Sequence, residues 1–145
     1  MNLLSVRSRI SPSLDKTNII HKFTVPQGIK SLVVQYEYNP KTVENKELAG
    51  NAIVEGLRKY KVEVADVTSF LPVKNLVTLS FDENGEYRGA CHRQPNKQTV
   101  VIAEQGSTPG IFNRSVNSGE WQVVLNLHYV GCDIDYIIDI EGVEE

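Results

Sequence analysis

Five side chains of this 145-residue chain belong to the types that bind metal ions or act as nucleophiles: His21, Cys91, His92, His128 and Cys132. A zinc site needs paired ligands such as Cys-x2-Cys, or ligands fixed at helical or hairpin spacing. The adjacent Cys91 and His92 point to opposite faces of a strand, so they form neither a metal pair nor a nucleophile–base pair. A predicted turn at Gly131 separates His128 from Cys132. We therefore expect no catalytic residue, no metal ligand and no cofactor.

Carboxylates form two groups that invite a calcium interpretation. Asp82 and Glu83 lie in a Asp-Glu-Asn-Gly segment, which lacks the repeated oxygen ligands and the distal Glu of an EF-hand. A hairpin turn explains that segment. Asp133, Asp135 and Asp139 lie at mostly alternate positions near the end of the chain, and the sequence predicts solvated carboxylates on an outer sheet face.

Four side chains are candidates for contact with a ligand or partner: Tyr87, Arg88, His92 and Trp121. Trp121 opens a long apolar strand, where it is either a buried core anchor or an exposed platform on which a sugar or peptide stacks. Arg88 is expected to pair with a carboxylate such as Glu104 rather than to clamp a ligand.

The elements that would position these groups are mostly strands. Short β-type runs alternate with clusters rich in Asn, Gly, Pro and Asp, which is the signature of an antiparallel sandwich or barrel. The Asn84–Gly85 pair predicts a tight hairpin. The segment 106–110, Gly-Ser-Thr-Pro-Gly, predicts a rigid corner rather than a phosphate loop, because no helix follows it. We predict a mainly β fold, an antiparallel β-sandwich (jelly-roll-like) of about eight strands.

One segment departs from the strand pattern. Apolar residues recur at three- and four-residue intervals between Thr42 and Tyr60, which predicts one helix near residues 43–60. Residues 62–70 are predicted to return to a strand. Residues 1–18 are expected to form a lead-in or edge segment, and residues 19–145 a single domain.

Composition and net charge limit the kinds of partner that we expect this chain to bind. The hydrophobic and charged fractions, 41% and 23%, are those of an ordinary globular domain. A net charge of −3 disfavours nucleic-acid binding, which needs a surplus of Lys and Arg on one face. No run approaches the roughly 20 apolar residues of a membrane span, and the first residues lack the apolar core of a signal peptide. We expect a cytoplasmic protein that binds neither nucleic acid nor membrane.

Several motifs in order resemble a known module. They are "HKFTVPQGIKSLVVQYEY", "NLVTLSFDENGEYRGACHR", "VVIAEQGSTPGIFNRSVNSGEWQVVLNLHYV" and "DYIIDIEG", which together cover most of residues 19–142. The series is similar to the amino-terminal β-sandwich of CehA/McbA-type metallohydrolases of the polymerase-and-histidinol-phosphatase (PHP) superfamily. It is distantly similar to bacterial pre-peptidase C-terminal domains.

The resemblance implies an accessory role. In that family catalysis resides in a following PHP barrel, which begins with a Gly-Asp-Leu-His-x-His-type motif, and no His-x-His occurs in this sequence. The expected function is therefore a non-catalytic interaction module, with a PHP-type hydrolase domain or a second copy as partner. Two alternatives stay open. One is the accessory half of a hydrolase assembled in trans, and the other a carbohydrate- or peptide-binding module that uses Tyr36, Tyr38, Tyr87 and Trp121.

Overall fold

The computed structural model describes residues 1–43 and 73–145, and within them the chain folds into two four-stranded antiparallel sheets. A two-stranded ribbon and one 3-10 turn, Pro12–Leu14, complete the described elements. The strands are β1 Asn2–Ile10, β2 Asn18–Val25, β3 Ser31–Asn39, β4 Thr42–Val43, β5 Val73–Lys74, β6 Leu76–Glu83, β7 Glu86–Cys91, β8 Lys97–Ala103, β9 Gly119–Tyr129 and β10 Ile134–Val143.

The order of the long strands is that of a jelly roll. Sheet A runs β1-β10-β3-β8 and sheet B runs β2-β9-β6-β7. The first long strand thus pairs with the last, the second with the last but one, and so on inward to the β6–β7 hairpin. Such nesting is what results when one long hairpin rolls up into two facing sheets. The predicted jelly-roll-like, antiparallel β-sandwich is confirmed.

Side chains alternate between the core and the outside along the central strands. In β3 the inward residues are Leu32, Val34, Tyr36 and Tyr38, all at most 2% exposed. The facing sheet contributes the inward residues of β6 and β9: Val77, Leu79, Phe81, Trp121, Val123, Leu125 and Leu127. This period of two lets each strand bury one face against the opposite sheet.

Two further predictions concern particular segments. Asn84 and Gly85 have φ values of 50° and 84°, as the two-residue turn between β6 and β7 requires, so the predicted hairpin is present. Residues 1–18, for which a lead-in or edge segment is predicted, contain β1, a strand at the edge of sheet A. The helix predicted near 43–60 and the strand predicted over 62–70 lie almost wholly outside the described residues.

The loop between β8 and β9, residues 104–118, closes one side of the sandwich. On sheet A, the Thr108 backbone N–H donates to Val101 O at 2.9 Å, and its hydroxyl accepts from Val101 N–H at 2.8 Å. On sheet B, Ala90 N–H donates to Gly110 O at 3.1 Å, and Ile111 forms a bridge with Gly89. The loop therefore covers the edges of both β8 and β7. The predicted rigid corner is at this position.

Candidate functional site

Arg88 on β7 is the centre of the polar interior beside this loop. Its side chain is fully buried, and all five of its N–H donors have acceptors. Four bonds go to backbone carbonyls that flank or lie within the loop: Phe112 (3.1 Å), Ser115 (3.0 Å), Ala103 (3.4 Å) and Arg114. The fifth goes to Glu83 Oε1 at 2.8 Å. One guanidinium thus holds the loop in a fixed shape.

Glu83 is the buried carboxylate partner of Arg88. It is 5% exposed, and its second oxygen accepts the Asn117 backbone N–H at 2.9 Å. The sequence-based prediction that Arg88 pairs with a carboxylate such as Glu104 was right about the kind of pairing and wrong about the residue. Glu83 and Arg88 flank the β6–β7 turn on neighbouring strands, which brings their side chains together inside the sandwich.

Trp121 is a core residue and cannot serve as a surface platform. Its side chain is 0% exposed, its indole N–H donates to Asn117 O at 2.9 Å, and the Arg88 guanidinium lies 5.5 Å from its ring centre. Tyr36 and Tyr38 are also buried, with hydroxyls that donate to Val77 O and Asn75 O. The sequence named Trp121 and Arg88 as candidates for contact with a ligand or partner. Because both side chains are buried, we assign them structural roles instead.

Tyr87 is exposed, and it meets a second exposed aromatic residue on the loop. Tyr87 is 54% exposed and Phe112 51%, and their rings are 6.0 Å apart in a T-shaped arrangement. In the described part of the chain these are the only exposed large aromatic side chains. Arg114 lies 5.7 Å from the Phe112 ring, donates to Tyr87 O and is 3.6 Å from Glu83 Oε1. We call these three residues, Tyr87, Phe112 and Arg114, the aromatic patch.

His92 lies in a second polar cluster, on the outer face of sheet B. His92 follows β7, Thr78 is on β6 and His128 is on β9, which are neighbouring positions in the sheet. The Thr78 hydroxyl is 2.9 Å from His92 Nδ1 and 2.8 Å from His128 Nε2. The two imidazole rings are 5.6 Å apart. Burial, His92 and Lys16 each lower the pKa of His128. We call Thr78, His92 and His128 the histidine cluster.

The structure separates the remaining metal and nucleophile candidates. His21 Nε2 bonds the Tyr136 hydroxyl between the sheets, and Asn75 donates to Cys132 Sγ. Cys91 is buried in the core, where desolvation raises the pKa of its thiol despite nearby Arg93. Residues 1–43 and 73–145 contain no group of three or more His, Cys, Asp or Glu side chains arranged to hold a metal ion.

The carboxylates of β10 lie on the outer face of sheet A. Asp135 forms a 2.8 Å ion pair with Arg9 of β1, and Asp139 lies 4.0 Å from Arg7. Both pairs are solvent-accessible cross-strand contacts. The acidic turn at Asp82 is a hairpin, in which the side-chain amide N–H of Asn84 donates to Ser118 O.

Sequence reasoning did not single out Phe112, Arg114, Thr78 or Lys16. Phe112 and Arg114 follow the Gly-Ser-Thr-Pro-Gly corner. An aromatic residue and an arginine in an otherwise polar loop could have predicted two exposed side chains there. Thr78 carries no signal, because a threonine at a strand position is ordinary. Its role depends on two histidines that are 14 and 50 residues away.

Comparison with known proteins finds similarity to solved structures. The chain matches no family model, and no curated protein is similar to it. Among solved structures, the crystal structure of GEBA250068378 from Sulfurospirillum deleyianum aligns with 95% of this chain and 98% of its own, at 10% identity and a TM-score of 0.34. No helix in the described residues is long and apolar enough to cross a membrane.

Proposed function

We propose that this chain is a non-catalytic interaction module that binds a partner protein through the aromatic patch. The observation that carries the proposal is the exposed Tyr87–Phe112 pair on a loop fixed by the buried Arg88. Aromatic residues and arginine dominate the binding energy of protein interfaces. An anchored loop loses little conformational entropy on binding, so more of the contact energy appears as affinity.

The geometry of the patch favours a protein partner over a sugar. The two rings stand at 83° to each other, so they present a face and an edge rather than one flat platform. Such a corner accommodates a protruding side chain. The carbohydrate- or peptide-binding alternative has only Tyr87 of its four proposed aromatics at the surface.

Local charge indicates what the partner presents. Two guanidinium groups, Arg88 and Arg114, share the single carboxylate of Glu83, which leaves one positive charge in excess. The excess is carried outward by Arg114, whose side chain is 41% exposed. We therefore propose a partner that offers an apolar side chain beside a carboxylate. The family resemblance makes a PHP-type hydrolase domain the first partner to test, linked to this chain or separate from it.

The test is a calorimetric titration of the full chain with a PHP-type hydrolase domain from the same genome. Tyr87→Ala and Phe112→Ala should each weaken binding at least about tenfold, as hot-spot truncations do. Ile20→Ala is the matched control, because Ile20 is 55% exposed and lies on β2, away from the loop. Equal affinities for all three variants would rule out the patch.

Light scattering of the chain alone tests self-association, the other partner named by the sequence. A concentration-dependent dimer that Phe112→Ala abolishes and Ile20→Ala preserves would assign the patch to a second copy of this chain. A monomer that binds no hydrolase domain would contradict the proposed function.

A further inference from the structure

The histidine cluster lies beside a surface pocket of about 260 Å³ that the proposed function does not use. The pocket is lined by Lys16, Thr17, Asn18, His92, Asn126, Leu127 and His128. Its polar side chains are ammonium, imidazole, amide and hydroxyl groups, and none is a carboxylate. Thr17 donates its hydroxyl to Leu14 O and Asn126 donates to Ser80 Oγ, whereas the ammonium group of Lys16 has three N–H donors, of which one is used by His128 O.

The Thr78 hydroxyl fixes the orientation of both imidazoles. A hydroxyl has one proton, so when both rings are neutral one ring nitrogen donates to Thr78 and the other accepts from it. The ring nitrogens that face Thr78 are His92 Nδ1 and His128 Nε2. Within the described part of the chain no group bonds His92 Nε2, so that nitrogen is available to a ligand.

Lys16 is the charged side chain among the residues that line the pocket, although the chain carries a net charge of −3. The charged and titratable groups that act on His128 are His92 and Lys16, and both lower its pKa, as does burial. Asp15 lies 3.9 Å from Lys16 Nζ and accepts the Val130 backbone N–H. Lys16 is held in place by a bond to His128 O.

We infer that this pocket binds a small oxyanion of the sulfate or phosphate type. Neutral imidazoles become cations beside a bound dianion, because an opposite charge within a few ångströms favours the charged form. The anion thus offsets the repulsion among His92, His128 and Lys16. A metal ion suits the cluster less well, because only two imidazoles converge and their ring nitrogens face Thr78.

The experiment uses sulfate as the probe, because its charge stays at −2 across the pH range in which histidines titrate. The three histidines are followed by NMR in the full chain, in sodium sulfate and in sodium chloride of equal ionic strength. We expect the titration midpoint of His128 to rise by about 0.5 pH or more in sulfate. His21, bonded to Tyr136 between the sheets, should show no sulfate-specific rise and serves as the internal control.

Calorimetry supplies the second measurement. Sulfate affinity should rise as the pH falls from 8 to 6, and His92→Gln and His128→Gln should each reduce it about tenfold at pH 6. His21→Gln should leave it unchanged. Thr78→Val should weaken binding, and Thr78→Ser, which keeps the hydroxyl, should restore it.

Two outcomes would overturn the inference. One is an equal response of all three histidines to sulfate and to chloride, which would indicate a general ionic-strength effect. The other is sulfate binding that survives both histidine substitutions. Inorganic phosphate and a phosphomonoester, titrated at pH 7, distinguish a free anion from an esterified one.

Discussion

Two arginine–carboxylate pairs in this protein have the same length and opposite surroundings. Arg88 donates to Glu83 at 2.8 Å inside the molecule, where the two side chains are 0% and 5% exposed. Arg9 donates to Asp135 at 2.8 Å on the outer face of sheet A, where both side chains are 66% exposed. The distances alone would predict that the two ion pairs contribute equally to stability. Because the Arg88–Glu83 pair is buried, removing one partner leaves an unpaired charge inside the protein. In the exposed Arg9–Asp135 pair, water competes for both charged groups.

The difference also concerns what else each guanidinium touches. Besides Glu83, Arg88 bonds four carbonyls that flank or lie within the β8–β9 loop, whereas Arg9 bonds only Asp135 among the described residues. The Arg88 pair thus holds one side of the sandwich closed and supports the aromatic patch. The Arg9 pair joins β1 and β10, which eight residue pairs of the antiparallel ladder already hold together. We expect this contrast to show in stability and in binding.

The largest effect should come from Arg88→Met. The substitution keeps an unbranched stem but leaves Glu83 as a buried carboxylate with its main partner removed, which costs about 3–5 kcal/mol of unfolding free energy. Urea unfolding at pH 7 measures it. Hydrogen exchange of residues 106–118 should also accelerate, because the loop carbonyls lose their common donor. Arg9→Met, the matched control, should leave the unfolding midpoint unchanged within error, and equal losses for the two variants would refute the contrast.

Gly110→Ala tests whether the backbone of the loop is as important as the buried charge. Gly110 has φ +100°, and a Cβ there would lie 2.2 Å from Ala90 O, a backbone atom that cannot move aside. We expect a loss of about 2–4 kcal/mol from strain and the displaced pairing with β7. Gly106→Ala provides the comparison, since its φ is +77° but nothing lies within 4 Å of its Cβ position. That variant should lose only about 1–2 kcal/mol, and equal losses would show that the close approach to β7 adds nothing.

The contrast between the two pairs also shows what the sequence can predict. Alternating apolar runs and the Asn84–Gly85 turn predict an antiparallel sandwich and its central hairpin, because local periodicity and turn chemistry act over a few residues. The pairing of Arg88 with Glu83 rather than Glu104 could have been drawn from the sequence, because Glu83 and Arg88 flank the predicted hairpin turn. What no local pattern encodes is the nested order of the other strands, which brings the β8–β9 loop back over this pair.

The candidate surfaces were predictable to a smaller extent. Tyr87 and His92 were both named from the sequence, and both lie at the surfaces to which we assign binding. Trp121 and Arg88 were named with them, but burial of an aromatic or an arginine depends on the opposite sheet and on the returning loop. Thr78 acquires its role only when β6, β7 and β9 are placed side by side.

Glu83→Gln tests the negative charge of the buried pair, because a Gln side chain has nearly the shape of Glu but no charge. Arg88 retains its four carbonyl acceptors, and the Gln oxygen still accepts one hydrogen bond. The Gln amide NH₂ faces the other of the two donors, Arg88 Nη1 or Asn117 N–H, so one hydrogen bond is lost. The expected loss is about 1.5–3 kcal/mol, the range for a hydrogen bond to a charged group. It should therefore lie below that of Arg88→Met in the same urea titration. A loss equal to that of Arg88→Met would mean that the carbonyl bonds contribute little and that the carboxylate alone anchors the loop.

The exposed pair should give the smallest effect, and that effect depends on pH. The hydrogen bond from Arg9 lowers the pKa of Asp135 below its ordinary value of 3.8. Any stabilisation by this pair is therefore present above the unfolded-state pKa and is lost as the pH falls through the lower, folded-state pKa. Asp135→Asn should leave the urea midpoint at pH 7 unchanged within error, and 1 M NaCl should remove any residual difference from the wild type, because exposed charges are screened. A loss at pH 7 that persists in 1 M NaCl would show that exposure does not weaken this pair, and the contrast with Arg88 would then have to depend on the carbonyl bonds alone.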